Sequence, residues 1–257
     1  MTKIKFSFIF LFLFCVSFTN AQQTRIDSLK QALTAEKSDI TKLKILWEIS
    51  NLYDYVSNDL KVYYAQQAVL LSMKNKNSLP VGSEAKALFF LARTLWWAGN
   101  YPEAKEAYFK ALQIAEPLAD TLFIADIYNG IAWVERNAGN YREAIKYFTK
   151  AENLTRHIPN NMALLNALID KGKSYEQLDI LDSAFTYVQE SLALYFRMFQ
   201  GENVFGGGLQ SEMAIIYSKM GKEQLAVEFF RQSIQLSAEL NDYRLLARTY
   251  CEYAEHF

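Results

Sequence analysis

"AGNYREAIKYFTKA" occupies residues 138–151, and "AGNYPEAKEAYFKA" occupies residues 98–111. The phrase returns after 40 residues with its Gly, Tyr, Glu and two Ala in matching places. Anchored on the Ala of the "EA" pair, the pattern runs Ala104, Ala144, Ala184 and Ala226, at steps of 40, 40 and 42. Four residues after each anchor stands an aromatic or Val: Tyr108, Phe148, Val188, Phe230. Seven after stands a small residue: Ala111, Ala151, Ser191, Ser233. Twelve before stands another: Ala92, Ala132, Gly172, Ala214. A fixed period of this length is the mark of a repeat architecture.

The periodicity inside a unit is helical. Tyr141, Ala144, Ile145 and Phe148 stand at i, i+3, i+4 and i+7, and Ile124, Ile127, Tyr128 and Ile131 repeat that spacing. Each unit therefore holds two amphipathic helices. "AGN" is the turn between them, its Gly suited to the left-handed position past a helix end. The recurrent small residues mark where two antiparallel helices approach closely. An earlier unit, "ILWEISNLYDYVSNDLKVYYAQQAVLLS", has the same pattern without the Gly turn, and Ala68 is its late small residue. Before it, Ile26, Leu29 and Leu33 outline a short helix that could cap the stack, since terminal repeats are atypical.

These residues resemble the tetratricopeptide repeat family: a small residue and an aromatic in helix A, a Gly turn, then Tyr, Ala, Phe and Ala in helix B. The match is good over residues 85–117 and 125–154 and looser over 165–198 and 207–239. The family's usual period is about 34, so this chain resembles its long-repeat variant. The resemblance implies an all-α fold, one right-handed α-solenoid of antiparallel helix pairs. The expected layout is a signal peptide at 1–21, a capping helix at 22–41, about five repeats over 42–240 and the first helix of an incomplete sixth at 241–257.

Composition narrows the function. Half the residues are hydrophobic, with only 10 Gly and 4 Pro, so a sizeable helical core is expected. The start, "MTKIKFSFIFLFLFCVSFTNAQQ", has Lys3 and Lys5, an apolar run from Phe6 to Phe18, then "TNA". That order is a secretory signal with cleavage after Ala21. The run is shorter than the roughly 20 residues of a spanning helix. Cleavage would remove two Lys and no acid, leaving 25 basic against 28 acidic residues. That balance gives no support to nucleic-acid binding. One cysteine would remain, Cys251, and no later segment is long and apolar enough to span a membrane.

No catalytic motif, Cys pair or metal-binding spacing is present, so an enzyme is not expected, and no cofactor is implied. "ENVFGGGLQSE" is Gly-rich at 206–208 but follows no strand and lacks a P-loop Lys; it reads as an extended loop between repeats. His157 precedes Pro159 at a helix end, where a His commonly meets the helix C-terminal dipole.

In the resembled family, the groove-facing positions of helix A bind protein or peptide ligands. Carried onto this chain, they give Arg93, Trp96, Trp97, Asn129, Trp133, Arg136 and Lys173 as candidate peptide-binding residues. Asp126 and Glu176 stand among them and would repel a terminal carboxylate, so a carboxylate clamp is not expected. Adjacent helical residues point about 100° apart, so Trp96 and Trp97 cannot share one core-facing direction. The best path for a peptide crosses Trp97, Trp133, Arg93 and Arg136.

At the end, Leu246, Tyr250, Tyr253, Ala254 and Phe257 fall on one side at helical spacing. Such a face wants a partner, either a continuation of the chain or a second copy. The resemblance extends to exported sensory portions of bacterial signalling proteins. It implies a non-catalytic binding scaffold in the periplasm of a Gram-negative bacterium, as the sensory region of a truncated receptor. A self-contained periplasmic adaptor for envelope assembly is the alternative.

Overall fold

The computed structural model describes residues 22–54, 56–199 and 206–256. The signal peptide expected at 1–21, and Phe257, lie outside them. Every regular element among the described residues is helical. In chain order these are α1 (22–35), α2 (Asp39–Leu52), α3 (Asn58–Lys74), α4 (Ser83–Trp97), α5 (Tyr101–Ala115), a short 3₁₀ turn (Glu116–Leu118), α6 (Thr121–Asn137), α7 (Tyr141–Thr155), α8 (Met162–Gln177), α9 (Leu181–Met198), α10 (Gly206–Lys219), α11 (Glu223–Glu239) and α12 (Tyr243–His256). The chain divides into two compact units, Met1–Leu118 and Ala119–Phe257. Within each, antiparallel helix pairs stack in sequence order, the build of an α-solenoid.

Helix starts and stops follow local chemistry. Ser38, Ser57, Asp120 and Asn161 each stand just before a helix and accept a hydrogen bond from a backbone N–H three residues on. The repeated turn ends four helices in one way. Gly99, Gly139 and Gly221 have φ of 82°, 81° and 71°, and Asp179 takes the same place at 59°. The next residue's N–H reaches back to a carbonyl five positions earlier: Asn100 to Leu95 (2.9 Å), Asn140 to Glu135 (2.8 Å), Ile180 to Tyr175 (3.0 Å) and Lys222 to Tyr217 (2.9 Å). This closure satisfies carbonyls that a helix end leaves bare.

The recurrent residues are the core. Ala104, Ala144, Ala184 and Ala226 are fully buried, as are Tyr108, Phe148 and Phe230. Ala92, Ala132 and Ala214 are buried to the same degree. The fourth member of that series, Gly172, shows why they are small: a Cβ there would lie 2.6 Å from Val188 Cγ2 and 3.4 Å from the Ala184 carbonyl oxygen. In the N-terminal unit, Ile26 and Leu29 of α1 bury against Ile45, Ile49 and Tyr53.

One expectation is corrected. Gly206, Gly207 and Gly208 are not an extended loop but the first turn of α10. Tertiary packing overrides their poor helix propensity. A Cβ on Gly207 would come within 3.1 Å of Leu245 on α12 and 3.2 Å of Ser237 Oγ on α11, so the missing side chain lets both helices close on α10. Helix α12 itself is anchored by Tyr253 on Phe230 and by His256 Nδ1, 3.1 Å from Ser218 Oγ. Tyr243 and Tyr250 on α12 are exposed. Among the described residues, no helix is long and apolar enough to cross a membrane.

Candidate functional site

The seven candidate residues lie in both units, and the two groups are in different states. In the N-terminal unit, α4 carries Arg93, Trp96 and Trp97. Trp96 is half-buried, whereas Trp97 is 59% exposed. The two rings meet edge to face at 4.9 Å. Successive residues on a helix diverge, and here one ring supports the other while the second faces water. Lys61 of α3 sits 5.8 Å from the centre of the Trp97 ring. Its ammonium is itself held by Asp54, and its side chain is buried. Arg93 is exposed, its guanidinium 5.4 Å from the centre of the Phe90 ring.

Beside the end of α4 lies a polar recess of about 320 Å³, lined by Asn58, Asp59, Gln66, Ala98 and Asn100 among others. Asn100 precedes α5, is exposed and makes no side-chain cap bond. Ala98, the residue after Trp97, is part of this lining, and the three amide side chains supply donors and acceptors of the kind a peptide backbone requires. The repeat pattern pointed to the tryptophans. It did not point to Asn58 and Gln66, because they come from a helix B in the repeat that lacks the Gly turn.

In the C-terminal unit the candidates are already engaged. Asn129 is fully buried, and its Nδ2 donates to the Ala163 carbonyl at 2.9 Å. It is therefore not a groove residue but a bond between α6 and α8. Trp133 Nε1 donates to Asp170 Oδ2 at 2.5 Å, and Arg136 pairs with Oδ1 of the same carboxylate. Lys173 pairs with Glu212 at 2.7 Å, and Glu176 with Lys219 at 2.5 Å. Ser211 of α10 donates in turn to Glu252 of α12. These contacts join α6 to α8, α8 to α10 and α10 to α12. They form a ladder of polar bonds between the first helices of successive repeats.

Asp126 departs from that ladder. It is half-buried on α6, and its burial, with the nearby charge of Asp120, pushes its carboxyl up to about 6. A second cluster sits between α7, α8 and α9. Lys171 Nζ is 2.7 Å from Glu152 Oε2 and 4.3 Å from the centre of the Tyr187 ring. Arg156 bridges Glu152 and Glu190. Burial works to raise the Glu152 carboxyl, but hydrogen bonds from Lys171 and Arg156 outweigh it and hold it below the usual range. Burial likewise works to lower Lys171, and its bonds to Glu152 and Tyr187 leave it raised.

Comparisons with known proteins agree with this architecture. The tetratricopeptide repeat family model matches residues 83–157 and 124–195, and a second model of that description matches 211–240. A photosystem I assembly protein of Rippkaea orientalis is 27% identical over 127 residues, 45% of this chain and 72% of its own length. BtubC of P. vanneervenii superposes with a TM-score of 0.71 at 13% identity, over 86% of this chain and 90% of the other. A Rap protein solved with competence and sporulation factor superposes with a TM-score of 0.63 at 18% identity, over 93% of this chain and 71% of the other. At those identities the structural likenesses speak for the fold alone. The repeated helix pair, its turn and the matched family models together establish that this chain belongs to the tetratricopeptide repeat family.

Proposed function

We propose that the chain is a non-catalytic scaffold that binds a protein segment or peptide at the α3–α4 end of its N-terminal unit, with Trp97 as the anchor. One observation carries this: Trp97 stands 59% exposed, and the residue after it, Ala98, lines a polar recess that holds three amide side chains. Tryptophan and arginine dominate binding hot spots, and Arg93 lies one helical turn away. The Rap protein is similar in fold and was solved with a bound factor, which supports a recognition role. The candidates of the C-terminal unit fit this reading less well, because a ligand there would have to displace Asp170 or Glu212.

The N-terminal sequence pattern supports export, so we place the scaffold in the periplasm, as the sensory portion of a signalling receptor. The alternative, an adaptor for envelope assembly, draws on the similarity to the photosystem I assembly protein. A ligand that proves to be a subunit of a larger complex would favour the adaptor.

The test is selection of a displayed random-peptide library on the purified chain. Peptides should be enriched, and Trp97→Ala should lose them with its helicity unchanged. Failure to enrich any peptide, or equal capture by Trp97→Ala, would refute the assignment.

A further inference from the structure

Helix α4 separates its charges by side. Lys86, Arg93 and Trp97 follow one another at steps of seven and four residues. At 3.6 residues per turn they fall within about 40° of one line along the helix. All three are exposed. Neither cation is paired with an acid among the described residues, and Arg93 rests on the Phe90 ring. The single acid of α4, Glu84, belongs to the other side, where it lines a separate groove with Leu88, Leu91 and Leu95.

The acids of the neighbouring helices are committed or lie past the end of this line. Asp54 holds Lys61, whose ammonium sits by the Trp97 ring. Glu48 of α2, next to the Trp47 that meets Phe90, holds Arg25 at 2.7 Å. Asp59 lines the polar recess together with Ala98 and Asn100, which follow α4. The line therefore runs from an acid-bearing recess at its Trp97 end to unpaired positive charge at Arg93 and Lys86.

We propose that the ligand anchored on Trp97 is an acidic peptide, with carboxylates two and four residues to one side of its apolar anchor residue. The inference rests on the Trp97 anchor of the proposed function and adds the charge and spacing of what that anchor holds. At 1.5 Å per residue along α4, Arg93 stands about 6 Å and Lys86 about 16 Å before Trp97. An extended peptide rises about 3.3 Å per residue and turns alternate side chains to one face. Its positions two and four from the anchor share the anchor's face, at about 7 Å and 13 Å. The first meets Arg93, and the flexible four-carbon stem of Lys86 covers the few ångströms to the second. A basic peptide in that register would set like charge against both side chains.

Fluorescence anisotropy of the purified chain tests this with labelled Gly/Ser peptides built around a central Phe. Two carry Asp at the second and fourth positions, before or after the Phe, and two carry Lys there instead. One Asp peptide should bind about fivefold or more tightly than its Lys counterpart, a preference that high salt removes. Lys86→Glu/Arg93→Glu, at exposed positions, should reverse the preference with the melting curve unchanged. Trp97→Ala should weaken the Asp peptide. Equal binding of Asp and Lys peptides, or an Asp preference that charge reversal leaves intact, would overturn the acidic reading; the anchor would still stand if Trp97→Ala lost that binding. No binding of either Asp peptide, or the same Lys86 and Arg93 dependence for phosphatidylglycerol vesicles in place of the peptides, would overturn it as well. Asp-peptide binding indifferent to Trp97→Ala would remove the anchor and this inference with it.

Discussion

Lys171 Nζ lies 2.7 Å from Glu152 Oε2, with side chains only 5% and 7% exposed. The two residues are 19 apart in sequence, one on α7 and one on α8, so their bond ties one repeat to the next. A buried pair of this kind is weak evidence of net stabilisation, yet breaking it on one side is costly. Glu152→Met should destabilise the C-terminal unit by about 3 kcal/mol in urea unfolding, because Lys171 would remain buried without its acid. Glu152→Met/Lys171→Met should recover most of that loss. A double variant no more stable than the single one would mean that Arg156 and Glu190 are part of the same unit.

The same pair sets a pH dependence. Glu152 is held below its ordinary value in the folded chain, so its contribution is present above the unfolded carboxylate pKa. It is lost as pH falls through the lowered folded value. Lys171 is raised, so its contribution is full below the ordinary lysine value and is lost as pH rises through the folded one. Unfolding curves of the parent and of Glu152→Gln should therefore converge in strong acid and stay apart at neutral pH.

Asp126 has the opposite sign. Its folded carboxyl is raised to about 6, so the folded state holds its proton more tightly than the unfolded chain does. Asp126 favours folding below its unfolded value, and this contribution is lost as pH rises through 6. Asp126→Asn should therefore raise the melting temperature at pH 7.5. The gain should shrink at pH 4, where the parent carboxyl is protonated. A gain of equal size at both pH values would contradict the burial that raises this group.

Gly172 tests the close packing of the repeat. Its absent Cβ would stand 2.6 Å from Val188 Cγ2, so Gly172→Ala must shift α9 or rotate Val188. We expect a loss of about 1–3 kcal/mol. Combining it with Val188→Ala should restore part of that loss, which a purely helix-propensity effect would not allow. Gly139→Ala meets no neighbouring atom, but its φ of 81° strains any L side chain. It should cost about 1 kcal/mol with no rescue from a neighbour.

The sequence made the repeat legible because its signal is local. Close approach needs a small residue at a fixed register, and Ala104, Ala144, Ala184 and Ala226 occupy it with no exposed surface. The turn was legible for the same reason. Trp96 and Trp97 were separable from helical geometry alone, and they do diverge into half-buried and exposed positions. What depends on a neighbouring repeat was harder to read. Trp133 and Arg136 read as open groove residues, but Asp170, one repeat later, holds both. An acid 34 to 37 residues downstream was the available sign. Asn129 failed likewise, since its partner is a backbone carbonyl, which sequence cannot mark. The Gly206–Gly208 stretch was misread because its helix is held by α11 and α12, not by its own propensity. The Lys171–Glu152 pair belongs to no motif and left no trace.

In the proposed function, ligand recognition rests on Trp97 and not on the engaged residues of the C-terminal unit. Fluorescence anisotropy of a library-selected peptide on the parent, Trp97→Ala and Trp133→Phe tests it directly. We expect a loss of about tenfold or more for Trp97→Ala, the scale of a hot-spot aromatic buried on binding, with little change for Trp133→Phe and matching melting curves. Unchanged affinity in Trp97→Ala, or a loss confined to Trp133→Phe, would contradict it.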